Sequence, residues 1–477
     1  MTLPRYIQTL KMAALGPVKQ SCCALIKWPH RLGLNPALIP LSSTRPRLGM
    51  ASQSSLSTGR HDGASIPKSP NSKRLPLGDL PSQTSFRLKQ TPARELLCLE
   101  WSHPPRNILL IKKDCSETTT EALLEFNRHV RSTYPNVNTL VEPRVSHELG
   151  SDLLEQHFTL SDSDQSRRHY QEKVDLVVTF GGDGTILHAS SLFATATRVP
   201  PILSFSMGTL GFLTEWKFSE YKRAFREVYM SGAATERHAV IESDPATNLE
   251  AARDLTGWSS VRGKSMGSAR GARVLVRQRL KVGIFDAKGN RLSSNGGGKE
   301  DFLHDMYAMN EVILHRGRDP HLAIVDVFVG GRFLTEAVAD GMIISTPTGS
   351  TAYSLSSGGS IVHPLVSSLL LTPICARSLS FRPLVLPSTT PITLKLSDKN
   401  RGREVEVSID GMRRTEGIGV GTELRVSGEE IETESGVFAG GIPCIMRTTS
   451  AGADGDDGWV GGLNGLLKFN HPFGEEP

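Results

Sequence analysis

The chain lacks long hydrophobic runs. No stretch of its 477 residues approaches the ~18 consecutive apolar residues that a spanning helix needs. We therefore expect no membrane-spanning helix. Cysteine is also scarce, and its positions show neither metal-ligand spacing nor a disulfide framework, so we expect no zinc site. The six cysteines are Cys22, Cys23, Cys98, Cys115, Cys375 and Cys444.

Two common nucleotide-binding signatures are absent. There is no Walker Gly-x-x-x-x-Gly-Lys-Ser/Thr sequence. Gly263-Lys264-Ser265 comes close, but Gly257 is one residue too distant and no apolar strand precedes it. There is also no Gly-x-Gly-x-x-Gly followed by a helix. The chain is therefore neither an ordinary P-loop kinase nor a Rossmann dehydrogenase.

Acidic residues are absent from the N-terminus, where none precedes Asp62. The first 61 residues hold eight Lys and Arg while the whole chain has a net charge of +5, so the remainder carries −3. The basicity thus belongs to the N-terminus, and we expect no nucleic-acid partner. Residues 1–60 have the composition of a transit peptide to the mitochondrial matrix, with a disordered basic tail as the alternative. Residues 61–105, rich in Ser, Pro and Gly, are expected to be a linker.

Residues 106–235 are expected to form an α/β nucleotide-binding domain. Short apolar runs typical of buried strands alternate with helix-compatible segments, which indicates a mostly parallel sheet with flanking helices. Ligand loops of such sheets lie at the carboxyl ends of the strands. The predicted strands are Asn107–Lys113, Asn138–Val141, Val174–Phe180 and Ile202–Phe205.

Residues 236–455 have a different pattern. Strand-like alternation separated by turn signals such as Gly330-Gly331 predicts a largely antiparallel β domain. The predicted strands include Arg273–Val276, Ala323–Val329, Ile392–Leu396 and Val405–Ile409. Polar segments near 244–270 and 288–300 are expected to be flexible insertions. Residues 456–477 form a C-terminal segment, in which Trp459–Leu467 could be a short closing helix.

The first candidate site is the glycine turn Gly181-Gly182-Asp183-Gly184-Thr185, between a predicted strand and a predicted helix. Glycine allows close approach of the backbone to a ligand, and a helix N-terminus favours phosphate. Asp183 could orient a hydroxyl or accept its proton, or it could simply cap the helix. Ser206–Phe212, which includes Gly208, follows the next strand and could form a second wall.

Two later segments supply candidate contacts for a nucleoside. Asn310 offers a donor and an acceptor, and Glu311 can accept hydrogen bonds from ribose hydroxyls. In Asp340–Gly359 an apolar strand leads into a turn of hydroxyl residues and glycine that ends near Tyr353. Such a turn can surround an adenine and its ribose. The alternative is a Ser/Thr-rich connector with a helix cap at Thr351.

Three further features are assigned no firm role. Asp410-Gly411 is expected to be a β-turn outside the site. His188 is expected to be packed or solvated rather than a base. Arg316, in His315-Arg316-Gly317, could supply a cation for phosphate.

Together these segments resemble the NAD kinase family. The similarity covers roughly residues 107 to 473 apart from the two insertions. The chain further resembles the fungal mitochondrial branch of that family, whose members prefer NADH. This resemblance rests on Ala189–Phe193, on His315-Arg316-Gly317 with Pro320-His321-Leu322, and on the tail Trp459–Phe473. The motifs that carry the family resemblance are Gly181–Thr185, Gly208–Phe212, Asn310-Glu311, Asp340–Gly359 and Leu379–Pro387.

The resemblance implies an α/β N-terminal domain, a sandwich-like all-β C-terminal domain, and a C-terminal segment that packs back on the first domain. It implies that ATP, with Mg²⁺, phosphorylates the adenosine ribose 2′-hydroxyl of NADH or NAD⁺. It also implies a homo-oligomer in which Asp340 reaches the nicotinamide half, often across a subunit boundary.

The same resemblance assigns roles to residues. Asp183 would orient or deprotonate the hydroxyl. Glycine residues of the two turns would contact the ATP phosphates, namely Gly181, Gly182 and Gly208. The remaining residues would bind the dinucleotide, namely Gly184, Phe212, Asn310, Glu311, Asp340, Thr348, Thr351, Ala352, Tyr353 and Ser356.

Rival assignments remain open at this point. Diacylglycerol and sphingosine kinases resemble the chain around Gly181–Thr185, but their resemblance does not extend to Asn310-Glu311 or the loop 346–359. A phosphofructokinase shares the glycine–aspartate turn but lacks a β-rich second half. A non-catalytic pyridine-nucleotide sensor would have no need of a carboxylate at Asp183.

Overall fold

The structure of the protein is a computed structural model. It describes residues 73–75, 80–90, 96–149, 156–159, 165–208, 211–233, 271–292, 306–402, 404–414, 417–434 and 437–447, together with residues 459, 462, 463 and 467. All of these belong to one compact unit, Pro67–Pro477. The predicted transit peptide and the insertion 244–270 lie outside the described residues. None of the described helices is long and apolar enough to cross a membrane.

The first half of the chain alternates strands and helices, as its sequence predicts. Its strands are β1 (Lys73–Leu75), β2 (Phe86–Lys89), β3 (Leu97–Trp101), β4 (Asn107–Lys112), β5 (Asn138–Val141), β6 (Gln156–Thr159), β7 (Leu176–Gly181), β8 (Ile202–Ser206) and β9 (Trp216–Lys217). Its helices are α1 (Glu117–Thr133), α2 (Pro143–Leu149), α3 (Gln165–Lys173), α4 (Asp183–Ser191) and α5 (Tyr221–Tyr229), and a 3-10 turn spans Phe218–Glu220.

The second half consists mainly of strands. They are β10 (Arg273–Arg277), β11 (Leu280–Phe285), β12 (Met306–Ala308), β13 (Glu311–His315), β14 (Ala323–Val329), β15 (Arg332–Ala339), β16 (Gly341–Ser345), β17 (Ser368–Ile374), β18 (Leu384–Pro387), β19 (Ile392–Leu396), β20 (Glu404–Ile409), β21 (Met412–Arg413), β22 (Ile418–Gly419), β23 (Glu423–Gly428), β24 (Glu432–Glu434), β25 (Val437–Ala439) and β26 (Ile442–Met446). A 3-10 turn, Thr348–Thr351, leads into the short helix α6 (Tyr353–Ser356).

The first sheet has the strand order β1-β6-β5-β4-β7-β8-β26-β10-β3-β2, with β9 beside β8. The strands from β1 to β26 in this order are parallel to their neighbours. The chain leaves β4 through α1 towards β5 on one side, and leaves β7 through α4 towards β8 on the other. The carboxyl ends of β4 and β7 therefore form a topological switch point, where ligands bind in open α/β sheets.

Helices cover both faces of this sheet. Phe126 of α1 packs in the same buried cluster as Leu110 of β4. Ile186 of α4 packs with Ile111, the next residue of β4, on the other face. Since successive side chains of a strand point to opposite faces, α1 and α4 lie on opposite sides of the sheet.

The β-rich half is a sandwich of two antiparallel sheets around a shared apolar core. One sheet has the order β12-β11-β23-β19-β14-β15, and the other has the order β18-β17-β16-β13-β20-β21 with β22 beside β20. Strands β24 and β25 form a separate hairpin. The α/β and all-β halves expected from the sequence are therefore confirmed as a fold class.

Strands β10 and β26 belong to the first sheet, although the sequence places both in the β-rich half. Strand β26 lies parallel to β8, and β10 pairs antiparallel with β26. The expectation that Arg273–Val276 forms part of the β domain was therefore wrong. Local alternation identified the strand, but the sheet that it joins depends on pairing with Ile442–Met446, far away in sequence.

Part of the expected linker is also folded. Strands β2 and β3 pair with each other, and β3 continues the first sheet beside β10. Buried Asp175 fixes the preceding segment, because its carboxylate accepts hydrogen bonds from the amides of Thr84 at 2.5 Å, Arg106 at 2.7 Å and Asn107 at 2.9 Å. The range 61–105, which was expected to be a linker from its Ser, Pro and Gly content, thus contains three described strands, of three, four and five residues.

Two other expectations concern regions that are described only in part. The structure describes Lys288 to Leu292, at the start of the second insertion, as a turn closed by an isolated bridge between Phe285 and Arg291. In the C-terminal segment, residues 459, 462, 463 and 467 are helical. The ring of Trp459 contacts that of His363, with 4.6 Å between their centroids. The packing of the rest of this segment lies outside the described residues.

Candidate active site

The glycine turn forms the end of β7 and the start of α4. Strand β7 ends at Gly181, and Gly182 is the N-cap of α4. A side chain at Gly181 would collide with the hydroxyl of Thr185. A Cβ at Gly182, Gly184 or Gly208 would meet no atom within 4 Å. The first glycine is therefore required for packing, while the others leave the backbone open to a ligand.

Asp183 joins this turn to the second glycine turn. Its Oδ2 accepts a hydrogen bond from the amide of Phe212 at 3.0 Å, and its Oδ1 accepts one from the amide of Leu213 at 3.1 Å. Gly211 packs directly against the same carboxylate. The two walls suggested by the sequence thus meet at Asp183, and its carboxylate is held in a fixed orientation.

Another charged cluster lies beside this turn. His188 of α4 makes a 2.7 Å hydrogen bond to Oε1 of buried Glu142, which follows β5. Arg144 binds the other oxygen of Glu142 at 2.8 Å. Burial opposes ionisation of Glu142, but the contacts of His188 and Arg144 outweigh it and lower the pKa of this carboxyl. Of the packed and solvated alternatives that the sequence left open for His188, the structure shows an imidazole bound to Glu142.

Asn310 and Glu311 stand at the start of β13 and are held by Asp410. The Asp410 carboxylate accepts hydrogen bonds from the amides of Met309 at 2.7 Å, Asn310 at 2.7 Å and Glu311 at 3.1 Å. Asp410-Gly411 does form the expected turn, with positive φ at both residues. Its second role, as the support of Asn310 and Glu311, was missed by the sequence reading.

Two side-chain oxygens of Asn310 and Glu311 are buried acceptors that receive no hydrogen bond from the described residues. Among the described residues, Oδ1 of Asn310 and Oε2 of Glu311 are buried without a hydrogen bond. Burial is the main cause that raises the pKa of Glu311 to about 7, the charge of Asp410 adds to it, and the amide of Tyr353 opposes it. Buried acceptors without partners are costly, so these atoms mark a place for a ligand that donates hydrogen bonds.

The loop after β16 packs on the Asn310 backbone. Thr346 donates its amide to the carbonyl of Asn310 at 2.9 Å and its hydroxyl to that of Met309 at 2.6 Å. A side chain at Gly349 would overlap the carbonyl of Asn310. The structure thus brings the two predicted nucleoside-binding segments together. Along this loop Thr348 is buried, Thr351 and Ala352 are half-buried, and Tyr353 and Ser356 are exposed.

Buried Arg277 links the phosphate side to the nucleoside side. Its Nη2 donates to the carbonyl of Phe212 at 3.3 Å, and its Nη1 donates to the hydroxyl of Thr348 at 3.4 Å. The same guanidinium lies 3.7 Å from Glu215. The sequence alone does not single out Arg277. Its partners lie about seventy residues before and after it along the chain, and no local motif marks such an arginine.

Asp340 lies at the junction of β15 and β16 and is paired with Arg316. Nε of Arg316 donates to Oδ1 of Asp340 at 2.6 Å, and both side chains are half-buried. Arg316 is therefore occupied by a carboxylate, contrary to the suggestion that it serves a phosphate. No described contact links Asp340 to Asp183, Asn310 or Glu311.

Comparison with known families gives two matches along the chain. The model of the ATP-NAD kinase N-terminal domain matches residues 108–233. The model of the ATP-NAD kinase C-terminal domain matches residues 309–429. The first match contains both glycine turns, and the second contains Asn310, Glu311, the loop after β16 and Asp410.

Individual proteins are similar over most of the chain. NADH kinase pos5, mitochondrial, of Schizosaccharomyces pombe is 40% identical over 375 residues, which covers 79% of this chain and 78% of the relative. NADH kinase POS5, mitochondrial, of Saccharomyces cerevisiae is 34% identical over 433 residues, 84% of this chain and 89% of the relative. The crystal structure of yeast NADH kinase complexed with NADH is similar with a TM-score of 0.64 and 34% identity, and it covers 85% of this chain and 100% of that chain.

Proposed function

We propose a phosphoryl transfer for this chain, which belongs to the ATP-NAD kinase family. Its site transfers the terminal phosphoryl group of ATP to the adenosine ribose 2′-hydroxyl of NADH or NAD⁺. The chain is an NAD(H) kinase, and its products are NADPH or NADP⁺. Magnesium enters with ATP as part of the substrate. Among the described residues there is no group of three or more His, Cys, Asp or Glu that could hold a metal ion by themselves.

The observation that carries this proposal is the pair of buried oxygens on Asn310 and Glu311. The hydroxyls of a ribose are donors of the kind that these acceptors need. The loop that packs on Asn310 supplies the walls of an adenine pocket, and Arg277 ties that loop to the turn that holds Asp183. Nucleoside and phosphate contacts are thereby part of one site.

Asp183 is proposed to act on the acceptor hydroxyl. Two amides fix its carboxylate, and lone pairs remain for the 2′-hydroxyl. The carboxylate orients that hydroxyl and takes its proton while the new oxygen–phosphorus bond forms and the bond to the ADP oxygen breaks. Gly181, Gly182 and Gly208 lie against the triphosphate. Catalysis of phosphoryl transfer is mostly positioning and charge neutralisation, so fixed groups suit the reaction.

The dinucleotide is proposed to extend from this point over the second half. Gly184, Phe212 and the loop residues Thr348, Thr351, Ala352, Tyr353 and Ser356 enclose its adenosine part. Asp340, held by Arg316, faces the nicotinamide half, and we propose that it does so across the subunit boundary of a homo-oligomer.

The proposed compartment is the mitochondrial matrix. The two relatives described above are mitochondrial enzymes, which supports a mitochondrial location. The basic residues 1–60 carry no acidic residue, as is usual for a matrix transit peptide. In that compartment the enzyme would supply NADPH.

The direct test incubates the full-length protein with Mg-ATP and either NADH or NAD⁺ and separates the products by chromatography. NADPH and NADP⁺ are the expected products, and the two initial rates give the preferred acceptor. Absence of turnover with both dinucleotides would overturn the proposal. Dinucleotide binding without turnover would instead identify a pyridine-nucleotide sensor.

A further inference from the structure

The carboxyl edge of the first sheet carries several charges, and most of them are already compensated. Lys112 at the end of β4 is buried and pairs with Glu148 at 2.8 Å. Arg144 after β5 pairs with Glu142 and with Asp114. These cations neutralise protein carboxylates and are not free to hold an anion.

Lys113 is different. It directly follows β4, and its side chain is exposed. Its amide donates a hydrogen bond to the carbonyl of Phe180 at 2.9 Å. Its Cβ lies 3.2 Å from the position that a Cβ would occupy if Gly181 carried a side chain. Within the described part of the chain, its ammonium makes no ion pair or hydrogen bond. The lysine therefore lies beside the glycine turn with its charge available.

The order of the strands places Lys113 at the switch point of the first sheet. Lys113 and Gly181-Gly182 follow β4 and β7, the two neighbouring strands whose connections diverge. The crevice beyond such a pair is the usual ligand site of an open α/β sheet. In this crevice the turn Gly181–Thr185 supplies amides and the carboxylate of Asp183, but no positive side chain.

We infer that Lys113 binds the triphosphate of ATP in this crevice. The inference rests on the proposed kinase activity and adds a cation that the glycine turns do not provide. ATP carries several negative charges, and Mg²⁺ neutralises only part of them. A lysine supplies a flexible point charge that can reach phosphate oxygens without demanding one geometry. It also offsets the negative charge that Asp183 brings close to the donor.

A second exposed lysine provides a matched control. Lys217 ends β9 and is in register with Ser206 at the end of β8, so it lies on the same edge of the sheet. Three strand spacings separate β9 from β4, which is about 14 Å. Loss of either lysine changes the net charge equally, but only Lys113 borders the switch point.

The test compares Lys113→Met, Lys113→Arg and Lys217→Met in the full chain. Binding of ATP and of inorganic tripolyphosphate is measured by calorimetry, and KM is measured separately for Mg-ATP and NADH. Lys113→Met should weaken both phosphate ligands and raise KM for Mg-ATP by about tenfold or more, as loss of a charged hydrogen bond does. KM for NADH should remain within about twofold, because Lys113 is proposed to contact the triphosphate of ATP and not the dinucleotide. Lys113→Arg should retain most of the affinity.

The outcomes separate this inference from the proposed function. An unchanged affinity for tripolyphosphate in Lys113→Met overturns the inference even if the wild-type enzyme is fully active. An equal loss of tripolyphosphate affinity in Lys217→Met also overturns it. The effect would then come from the total positive charge along the carboxyl edge of the sheet and not from a contact of Lys113. A wild-type protein that binds tripolyphosphate through Lys113 but makes no NADP(H) contradicts the proposed function alone. Lys113 is exposed, so the melting temperature should stay close to that of the wild type.

Discussion

Gly211 lies directly against the carboxylate of Asp183. A Cβ at position 211 would overlap the Asp183 carboxylate. The clash could be relieved only if the carboxylate itself moved. The next two amides, of Phe212 and Leu213, donate to the same carboxylate at 3.0 and 3.1 Å. The small residue at 211 thus allows the second glycine turn to wrap around the proposed catalytic group.

Substitution Gly211→Ala should therefore displace Asp183 rather than disrupt the fold. A displacement of about 1 Å at a reacting group can cost on the order of a hundredfold in rate. We expect kcat to fall by about this factor, while binding of NADH, followed by its fluorescence, changes little. If kcat of Gly211→Ala equals that of the wild type, the position of Asp183 does not depend on this contact.

Asp410 should control dinucleotide affinity from outside the site. Asp410→Asn retains the shape but leaves one oxygen to accept from the three amides of Met309, Asn310 and Glu311. Because hydrogen bonds to a charged group contribute about 1.5–3 kcal/mol, we expect KM for NADH to rise by about tenfold or more. Asp410→Ala should have a larger effect. An unchanged KM in both variants would show that Asp410 is only a turn residue.

Glu311 should make both stability and binding depend on pH near neutrality. The folded state raises its pKa to about 7, mainly through burial, so the folded protein binds a proton that the unfolded chain has already released. The contribution of this group to stability is therefore present below its ordinary pKa and is lost as the pH rises towards 7. Melting temperatures between pH 5 and 8 should show this decline, and Glu311→Gln should flatten it.

The same titration predicts the opposite trend for the ligand. An ionised Glu311 accepts hydrogen bonds from both ribose hydroxyls, whereas the protonated form has lost part of that capacity. NADH should thus bind more tightly as the pH rises from 6 to 8. Glu311→Gln should bind weakly with little pH dependence. Weaker binding of NADH to the wild type at pH 8 than at pH 6 would contradict this role.

Arg279 and Glu429 form a buried ion pair in the second half of the chain, and Arg279 also reaches the first half. Nε of Arg279 lies 2.7 Å from Oε2 of Glu429, and its Nη atoms also donate to the carbonyls of Phe193 at 3.2 Å and Ala196 at 2.8 Å, just beyond α4. Its guanidinium stacks on Tyr307, 4.2 Å from the ring centroid. The pair thus fixes the end of α4 against the strand that leads towards Asn310.

Breaking this pair should be costly. Arg279→Met leaves Glu429 charged and buried, and we expect a loss of about 3–5 kcal/mol in the free energy of unfolding. The double variant Arg279→Met, Glu429→Met removes both charges and should recover a part of that loss. Urea denaturation followed by tryptophan fluorescence measures both. A loss below about 1 kcal/mol in Arg279→Met would show that the pair contributes no more than an exposed one.

The sequence predicts the elements near the site well, because each is marked by a local pattern. The apolar run before Gly181 is long enough to identify β7, and the glycines after it mark the turn into α4. Alternation likewise identified β14, β19 and β20. Candidate residues in these turns could therefore be named before their arrangement was known.

Contacts between distant segments could not be predicted in this way. Strand β10 pairs with β26, which lies more than 150 residues further along the chain, and nothing in Arg273–Arg277 specifies that partner. The same holds for the carboxylate of Asp410 on the amide of Asn310, one hundred residues away. Side chains of this kind acquire their roles only when the β sandwich is assembled.

The central claim is that Asp183 handles the acceptor hydroxyl, and Asp183→Asn tests it most directly. Asparagine is almost the same size and can still accept a hydrogen bond from the turn, but it cannot take a proton. Rates of NADPH formation and NADH binding should be measured on the same preparation of wild-type and variant protein. We expect turnover to fall by at least about a hundredfold, the range for loss of a general base, while the affinity for NADH stays within about threefold. Turnover equal to that of the wild type would remove Asp183 from the mechanism.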